Sequence, residues 1–368
     1  MQHSNGEPAS NARPVSNGAA ATGRGPGLLT RLEAGPVICA EGYLFELERR
    51  GYVQAGPFVP EVVLDHPEQV RALHEQFVHA GSDVVEAFTY YGHREKLRLI
   101  GQEGVLEPLN RQALEIARQV ADASGTLLAG NICNTNVYDP GRRDSAAVAR
   151  AIFTEQVGWA SDAGVDLVIA ETFRYAGEAH IAARVLREAG LPAVLTLAVG
   201  RDGTTREGGS VVDACRSLAD HGAAVVGLNC LRGPETMLPL IEDIAVAVDV
   251  PVAALPVPYR THAAQPTFQS LREDPAEPGP EGLAFPTGLD PFTCTRYEIA
   301  DFTRRAREAG VRWFGLCCGA APHHIRAMAE TLDRTPQASR YSPDMSKHAY
   351  FGTDPALLET NRSYSHQL

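Results

Sequence analysis

The fold of this chain is decided by Val311-Arg312-Trp313-Phe314-Gly315-Leu316-Cys317-Cys318-Gly319-Ala320-Ala321-Pro322-His323-His324. An apolar run of strand length ends in two adjacent thiols, and glycine and proline then turn the chain into a helix. Upstream, Ala223-Ala224-Val225-Val226-Gly227-Leu228-Asn229-Cys230 follows the same plan, a buried strand ending in a cysteine. A lone buried cysteine is usually a small hydrophobe. An adjacent pair plus a third thiol at equivalent strand ends favours a metal, with Cys230, Cys317 and Cys318 as ligands to Zn2+. Three protein ligands and one open position make the catalytic kind of zinc site. A disulfide between Cys317 and Cys318 would close a strained ring, which disfavours a redox role for the pair.

Outward from this stretch the same unit recurs. Apolar runs at Val37–Ala40, Val84–Phe88, Leu127–Ile132, Asp166–Glu171, Ala193–Ala198, Ala224–Asn229, Val252–Leu255 and Arg312–Leu316 alternate with helical spacing such as Val70, Leu73, Phe77 and Val78. Ala80-Gly81, Ala163-Gly164, Ala189-Gly190 and Ala309-Gly310 end helices with a glycine and feed the next strand. None of the strands reads as half-exposed, which implies a parallel sheet covered on all sides. The expected architecture is a single α/β domain, a (β/α)8 TIM barrel over residues 27–333. A doubly wound open sheet is the alternative, but no Gly-x-Gly-x-x-Gly follows the first strand. Residues 1–26 read as a disordered tail of Ser, Asn, Gly, Ala and Pro, and 334–368 as a polar C-terminal arm suited to subunit contacts. The long Pro- and Gly-rich loop after strand 7 lies over the active-site face, where a mobile lid and a packed excursion both fit.

Composition narrows the function. The 368 residues carry a formal net charge of -12, which argues against nucleic-acid and anionic-membrane partners. No apolar run is long enough to span a bilayer. Seven scattered cysteines without a secretory signal suit a reducing, cytoplasmic compartment rather than a disulfide framework.

In such a barrel the strand C-terminal ends face the active site. Those ends supply Glu41 and Gly42, Thr89 to Gly92, Asn131 and Asn134, Glu171 and Thr172, and Asn229, beside the three thiols. Three thiolates leave zinc a poor Lewis acid for making hydroxide. A substrate thiol bound there would lose its proton yet stay nucleophilic, so methyl transfer to sulfur suits the site better than hydrolysis.

At these residues the chain resembles the homocysteine S-methyltransferase family, nearest its betaine-using members. The resemblance is carried by Gly-Leu-Asn-Cys230, Gly-Leu-Cys317-Cys318-Gly, Ala-Glu171-Thr-Phe, Arg50-Gly-Tyr-Val-Gln-Ala-Gly-Pro-Phe-Val-Pro-Glu and Pro322-His-His-Ile-Arg-Ala-Met-Ala-Glu. It implies a zinc enzyme with Cys230, Cys317 and Cys318 as ligands and homocysteine as acceptor. It further implies Glu171 at the homocysteine amino group, Asn229 in support, and Tyr91 at the methyl-donor site. Glu171 and Tyr91 are therefore the expected catalytic residues, although an ion-pair glutamate and a core tyrosine are their plainer readings.

The departures concern the donor. Phe58 stands where the betaine enzymes have tryptophan, Thr172 where they have tyrosine, and Ala40-Glu41-Gly42 where the family has Asp-Gly-Gly. Aromatic faces hold quaternary ammonium by cation–π attraction, strongest for Trp. Tyr90, Tyr43, Phe45 or Tyr175 are candidates to rebuild the cage, and Glu41 to replace the aspartate. The expected activity is methyl transfer from a small onium donor to homocysteine, giving methionine, in a homo-oligomer. Rival readings are a barrel lyase or hydrolase, another thiol acceptor, and a non-catalytic ligand-binding homologue.

Overall fold

The computed structural model describes residues 25–272 and 282–359, so the expected tail lies almost wholly outside the described residues. Eight parallel strands, β1 (Val37–Ala40), β2 (Val84–Glu86), β3 (Leu127–Cys133), β4 (Leu167–Phe173), β5 (Ala193–Leu197), β6 (Val225–Asn229), β7 (Val252–Leu255) and β8 (Val311–Leu316), close into a barrel in sequence order. Strand β8 pairs back on β1, with Val37 opposite Trp313 and Cys39 opposite Gly315. The (β/α)8 expectation holds, and closure excludes the open sheet.

One helix covers each strand: α1 (Pro67–Ala80), α2 (Leu106–Ser124), α3 (Ser145–Asp162), α4 (Ala176–Glu188), α5 (Val211–Asp220), α6 (Pro234–Ala247), α7 (Arg296–Glu308) and α8 (Pro322–Thr331). The glycines read as helix stops, Gly81, Gly164, Gly190 and Gly310, all have positive φ, the left-handed conformation that a helix C-terminus favours.

Strand residues alternate between two cores. Val37, Val84, Leu127, Leu167, Val225 and Trp313 fill the barrel, and Leu28 and Leu32 of the helix Leu28–Ala34 join them. The opposite faces of the strands, such as Ile38, Val85 and Val168, pack against the helices. Because side chains alternate with period two, the next inward layers place Glu41, Glu86, Asn131, Glu171 and Asn229 above this plug.

Two segments differ from the simplest reading. Strand β2 stops at Glu86 because Thr89 N bonds back to Ala87 O at 2.7 Å, a turn that lifts Phe88 to Tyr91 out of the sheet. The described part of the loop after β7 is a packed excursion. Tyr259 and Phe268 stack with centroids 5.9 Å apart, Phe285 meets Phe268 edge-on at 5.2 Å, and Leu271, Ala284 and Leu289 are buried. Beyond α8, short turns at Gln337–Tyr341 and Met345–Lys347 begin the arm. Arg334 anchors it to Asp83 and the Pro36 carbonyl. Among the described residues, no helix is long and apolar enough to cross a membrane.

Candidate active site

The ends of β6 and β8 bring the three expected thiols together. Cys230 Sγ lies 3.8 Å from Cys318 Sγ, and Cys317 Sγ lies 3.9 Å from Cys318 Sγ. Zinc–sulfur bonds of about 2.3 Å at tetrahedral angles put sulfurs about 3.8 Å apart, so the spacing fits one tetrahedral ion. The backbone is bent to achieve this. Cys230 and Leu231 adopt φ 59 and 56, and Phe58, Tyr91 and Thr172 are also left-handed. Such conformations cost free energy in non-glycine residues, most of all in a β-branched one, and they cluster at functional sites. At Gly319 (φ 97) a Cβ would collide with the Tyr259 hydroxyl, so the cysteine pair seats against the β7 loop only with glycine there.

A cavity opens beside the thiols, lined by Glu41, Glu86, Glu171, Tyr43, Tyr90 and Phe88 with Gly42, Asn131, Cys317 and Cys318. Asn131 Nδ2 donates to Glu86 Oε1 at 2.6 Å and to Glu171 Oε1 at 2.7 Å, tying two carboxyl groups to one amide. Asn229 Nδ2 donates to Glu171 Oε2 at 2.7 Å, while its Oδ1 accepts from Thr172 N and Thr196 Oγ1 at 2.9 Å each. Both oxygens of Glu41 are buried with no hydrogen bond of good geometry, and the polar group they face is the Glu171 carboxyl. A buried carboxyl left unpaired is costly, and an incoming ammonium would relieve it. Burial is the main cause that raises all three carboxyl pKa values. Glu171 is pushed up to about 7, and mutual repulsion raises Glu41 and Glu86 well above the carboxylate range.

Most of the expected residues meet here, but two stand back. Glu41, Gly42 and Glu171 line the cavity, while Thr172 and Asn229 hold Glu171 from behind. Tyr91 sits behind Tyr90, ring centroids 4.3 Å apart, with the Lys96 ammonium 4.0 Å from its own centroid. Phe58 packs against Phe45 at 5.4 Å, outside the cavity lining. Of the candidate replacements, Tyr43 and Tyr90 reach the cavity, and Tyr175 packs on Tyr138 instead. Glu86 escaped the sequence reading. Its signal was a single charge inside the apolar run Val84–Phe88, at an inward-facing alternate position.

Proteins similar to this chain are consistent in kind. The chain is 36% identical over 336 residues to betaine–homocysteine S-methyltransferase 1 of Rattus norvegicus, covering 89% of this chain and 79% of that one. It is also 36% identical to an S-methylmethionine–homocysteine S-methyltransferase of Pongo abelii, covering 89% and 86% of the two chains. The metallated form of the homocysteine methyltransferase MmuM from Escherichia coli has the same fold, with a TM-score of 0.63 at 20% identity, covering 80% of this chain and 95% of that one. The model of the homocysteine S-methyltransferase family matches residues 38–332, from β1 through α8 and with all three thiols inside the match. By that match and those identities, the chain belongs to the homocysteine S-methyltransferase family.

Proposed function

We propose that this protein is a zinc-dependent S-methyltransferase that moves a methyl group from a small onium donor to homocysteine, giving methionine. The observation that carries the reading is one cavity in which Cys317 and Cys318, with Cys230 beside them at tetrahedral spacing, adjoin the facing carboxyls of Glu41 and Glu171. Cys230, Cys317 and Cys318 would hold the ion, whose positive charge keeps the acceptor sulfur a thiolate at neutral pH. Glu171, oriented by Asn131 and Asn229, and Glu41 receive the substrate ammonium. The ring faces of Tyr43, Tyr90 and Phe88 line the same cavity and suit an onium cation. The sulfur lone pair forms the new S–C bond as the donor's bond to methyl breaks. That bond pair leaves on a neutral amine or sulfide. No proton moves in this step, so alignment of the reactants is the protein's main contribution.

The donor is an ammonium such as betaine or a sulfonium such as S-methylmethionine, and both kinds of relative are represented above. A homo-oligomer remains part of the proposal, resting on the exposed Tyr341, Met345, Phe351 and Leu358 of the arm. The test is methionine formation by zinc-loaded protein given homocysteine with betaine or with S-methylmethionine. Turnover with either supports the reading and names the donor. Silence with both, in protein that holds zinc, overturns this donor class.

A further inference from the structure

The chain is strongly acidic, yet one cavity at the barrel's C-terminal face is basic. It has a volume of about 810 Å³, and its described lining includes Arg174, Arg201 and Arg206, with the partnered Arg272, one acid, Asp202, and Gln265 and Gln269. These side chains come from the loops after β4, β5 and β7, and the loop after β6 supplies Leu231. The face they share is where such barrels bind ligands.

Many arginines elsewhere on the surface are matched with acid. Arg94 meets Glu155, Arg150 meets Glu188, and Arg260 meets Glu298. Among the described residues, Arg174, Arg201 and Arg206 form no ion pair. Asp202, the acid in the lining, turns its Oδ1 toward Thr204 N of its own loop at 3.3 Å.

The loop that carries Arg201 and Arg206 is held in place from beneath. The buried Arg232 donates through Nη2 to the Gly200 carbonyl at 2.6 Å and the Arg201 carbonyl at 3.0 Å. Arg206 N donates to the Arg174 carbonyl at 2.8 Å, joining two of the basic positions through the backbone. The Arg232 guanidinium beneath the loop is taken up by these carbonyls and attracted to Asp202, which leaves the charges of Arg174, Arg201 and Arg206 to the cavity. Convergent like charges repel, and a bound anion is what makes such an arrangement favourable.

We propose that this cavity binds a compact, hydrophilic polyanion bearing phosphate or several carboxylate groups. Guanidinium forks match both groups by paired hydrogen bonds. The volume suits a small metabolite. Among the described residues no aromatic ring lines the cavity, which disfavours stacking of a nucleobase. The site is distinct from the thiol-bearing cavity. It adjoins the metal centre through Leu231, the residue after Cys230.

The test is isothermal titration of zinc-loaded, full-length protein with inorganic pyrophosphate and, separately, with citrate, at physiological salt. One-site binding is expected, weakened about tenfold or more in the Arg201→Gln/Arg206→Gln double variant. Both changes are at exposed positions, and circular dichroism of the variant checks its fold. Tighter binding of pyrophosphate assigns a phosphate ligand, and tighter binding of citrate a polycarboxylate. No saturable binding of either anion overturns the proposal. So does equal binding by wild type and variant, which would place the anion on the metal or elsewhere. Because binding is read apart from turnover, failure here leaves the methyltransferase reading standing, and the reverse also holds.

Discussion

Asn229 holds Glu171 with its amide nitrogen at 2.7 Å, while the next residue in the chain, Cys230, presents its thiol to Cys318 at 3.8 Å. One strand end therefore couples the proposed ammonium site to the proposed metal site. Asn229→Ala would leave Glu171 Oε2 without this donor in a buried setting, a loss worth about 1–3 kcal/mol. The expected outcome is a rise of about 5- to 150-fold in the KM for homocysteine. A variant with normal homocysteine KM would remove Asn229 from the acceptor site.

Cys318 is the most exposed of the three thiols, but it is the one that both other sulfurs approach within 4 Å. Serine at this position offers a hydroxyl of much higher pKa and no thiolate. Cys318→Ser is expected to purify with well under one zinc per chain by atomic absorption. Its methionine formation should fall by more than the roughly 10–100-fold typical of losing an outer-shell partner. Full zinc occupancy with full activity would sink the ligand assignment.

The fold was legible because both signals that carry it are local. Apolar runs of strand length report burial on two faces, and Ala-Gly pairs such as Ala80-Gly81 report helix ends. The thiol set was legible because β6 and β8 end at the same height of a barrel whose order follows the sequence. What lay beyond reach depends on single turns. The Thr89 turn decides that Tyr90 rather than Tyr91 faces the cavity, and no pattern of neighbouring tyrosines reveals that choice. The β7 loop reads equally as a lid or a packed excursion because Pro and Gly dominate it. Its order comes from a few distant rings, Tyr259, Phe268, Phe285 and Phe45, whose meeting is tertiary.

Glu86 makes the cavity more acidic than one substrate ammonium requires. Burial and the Glu171 charge raise its pKa well above that of an exposed glutamate, so the folded protein holds a proton there that the unfolded chain releases near pH 4.3. Stability from this group is fully present below that pH and declines as pH rises. Glu86→Gln preserves an acceptor for Asn131 Nδ2 and removes the ionisation. The variant should therefore gain thermal stability over wild type by an amount that grows from pH 5 to pH 8, read as the difference in Tm. A pH-independent difference would mean that Glu86 is not the group being strained.

His74 is the counterpart on the acid side. It lies in α1, 1% exposed, edge-on to Tyr43 with ring centroids 4.8 Å apart, and neither ring nitrogen has a hydrogen-bond partner. Burial, with a smaller contribution from Arg71, pushes its pKa down to about 3. The unfolded chain takes up a proton near pH 6.5 that the folded state refuses, so stability is lost as pH falls from 6.5 toward 3. Between pH 7.5 and 5 this amounts to about 2 kcal/mol for the one group. His93 and His324, both pushed down to about 4, add to the slope in wild type and in any His74 variant. His74→Phe keeps a ring against Tyr43 and has nothing to protonate. Urea unfolding at pH 7.5 and at pH 5 should show the variant losing about 2 kcal/mol less than wild type between the two conditions. Equal losses would mean that His74 finds a proton-accepting partner when the pH drops, through a rearrangement of α1 against Tyr43.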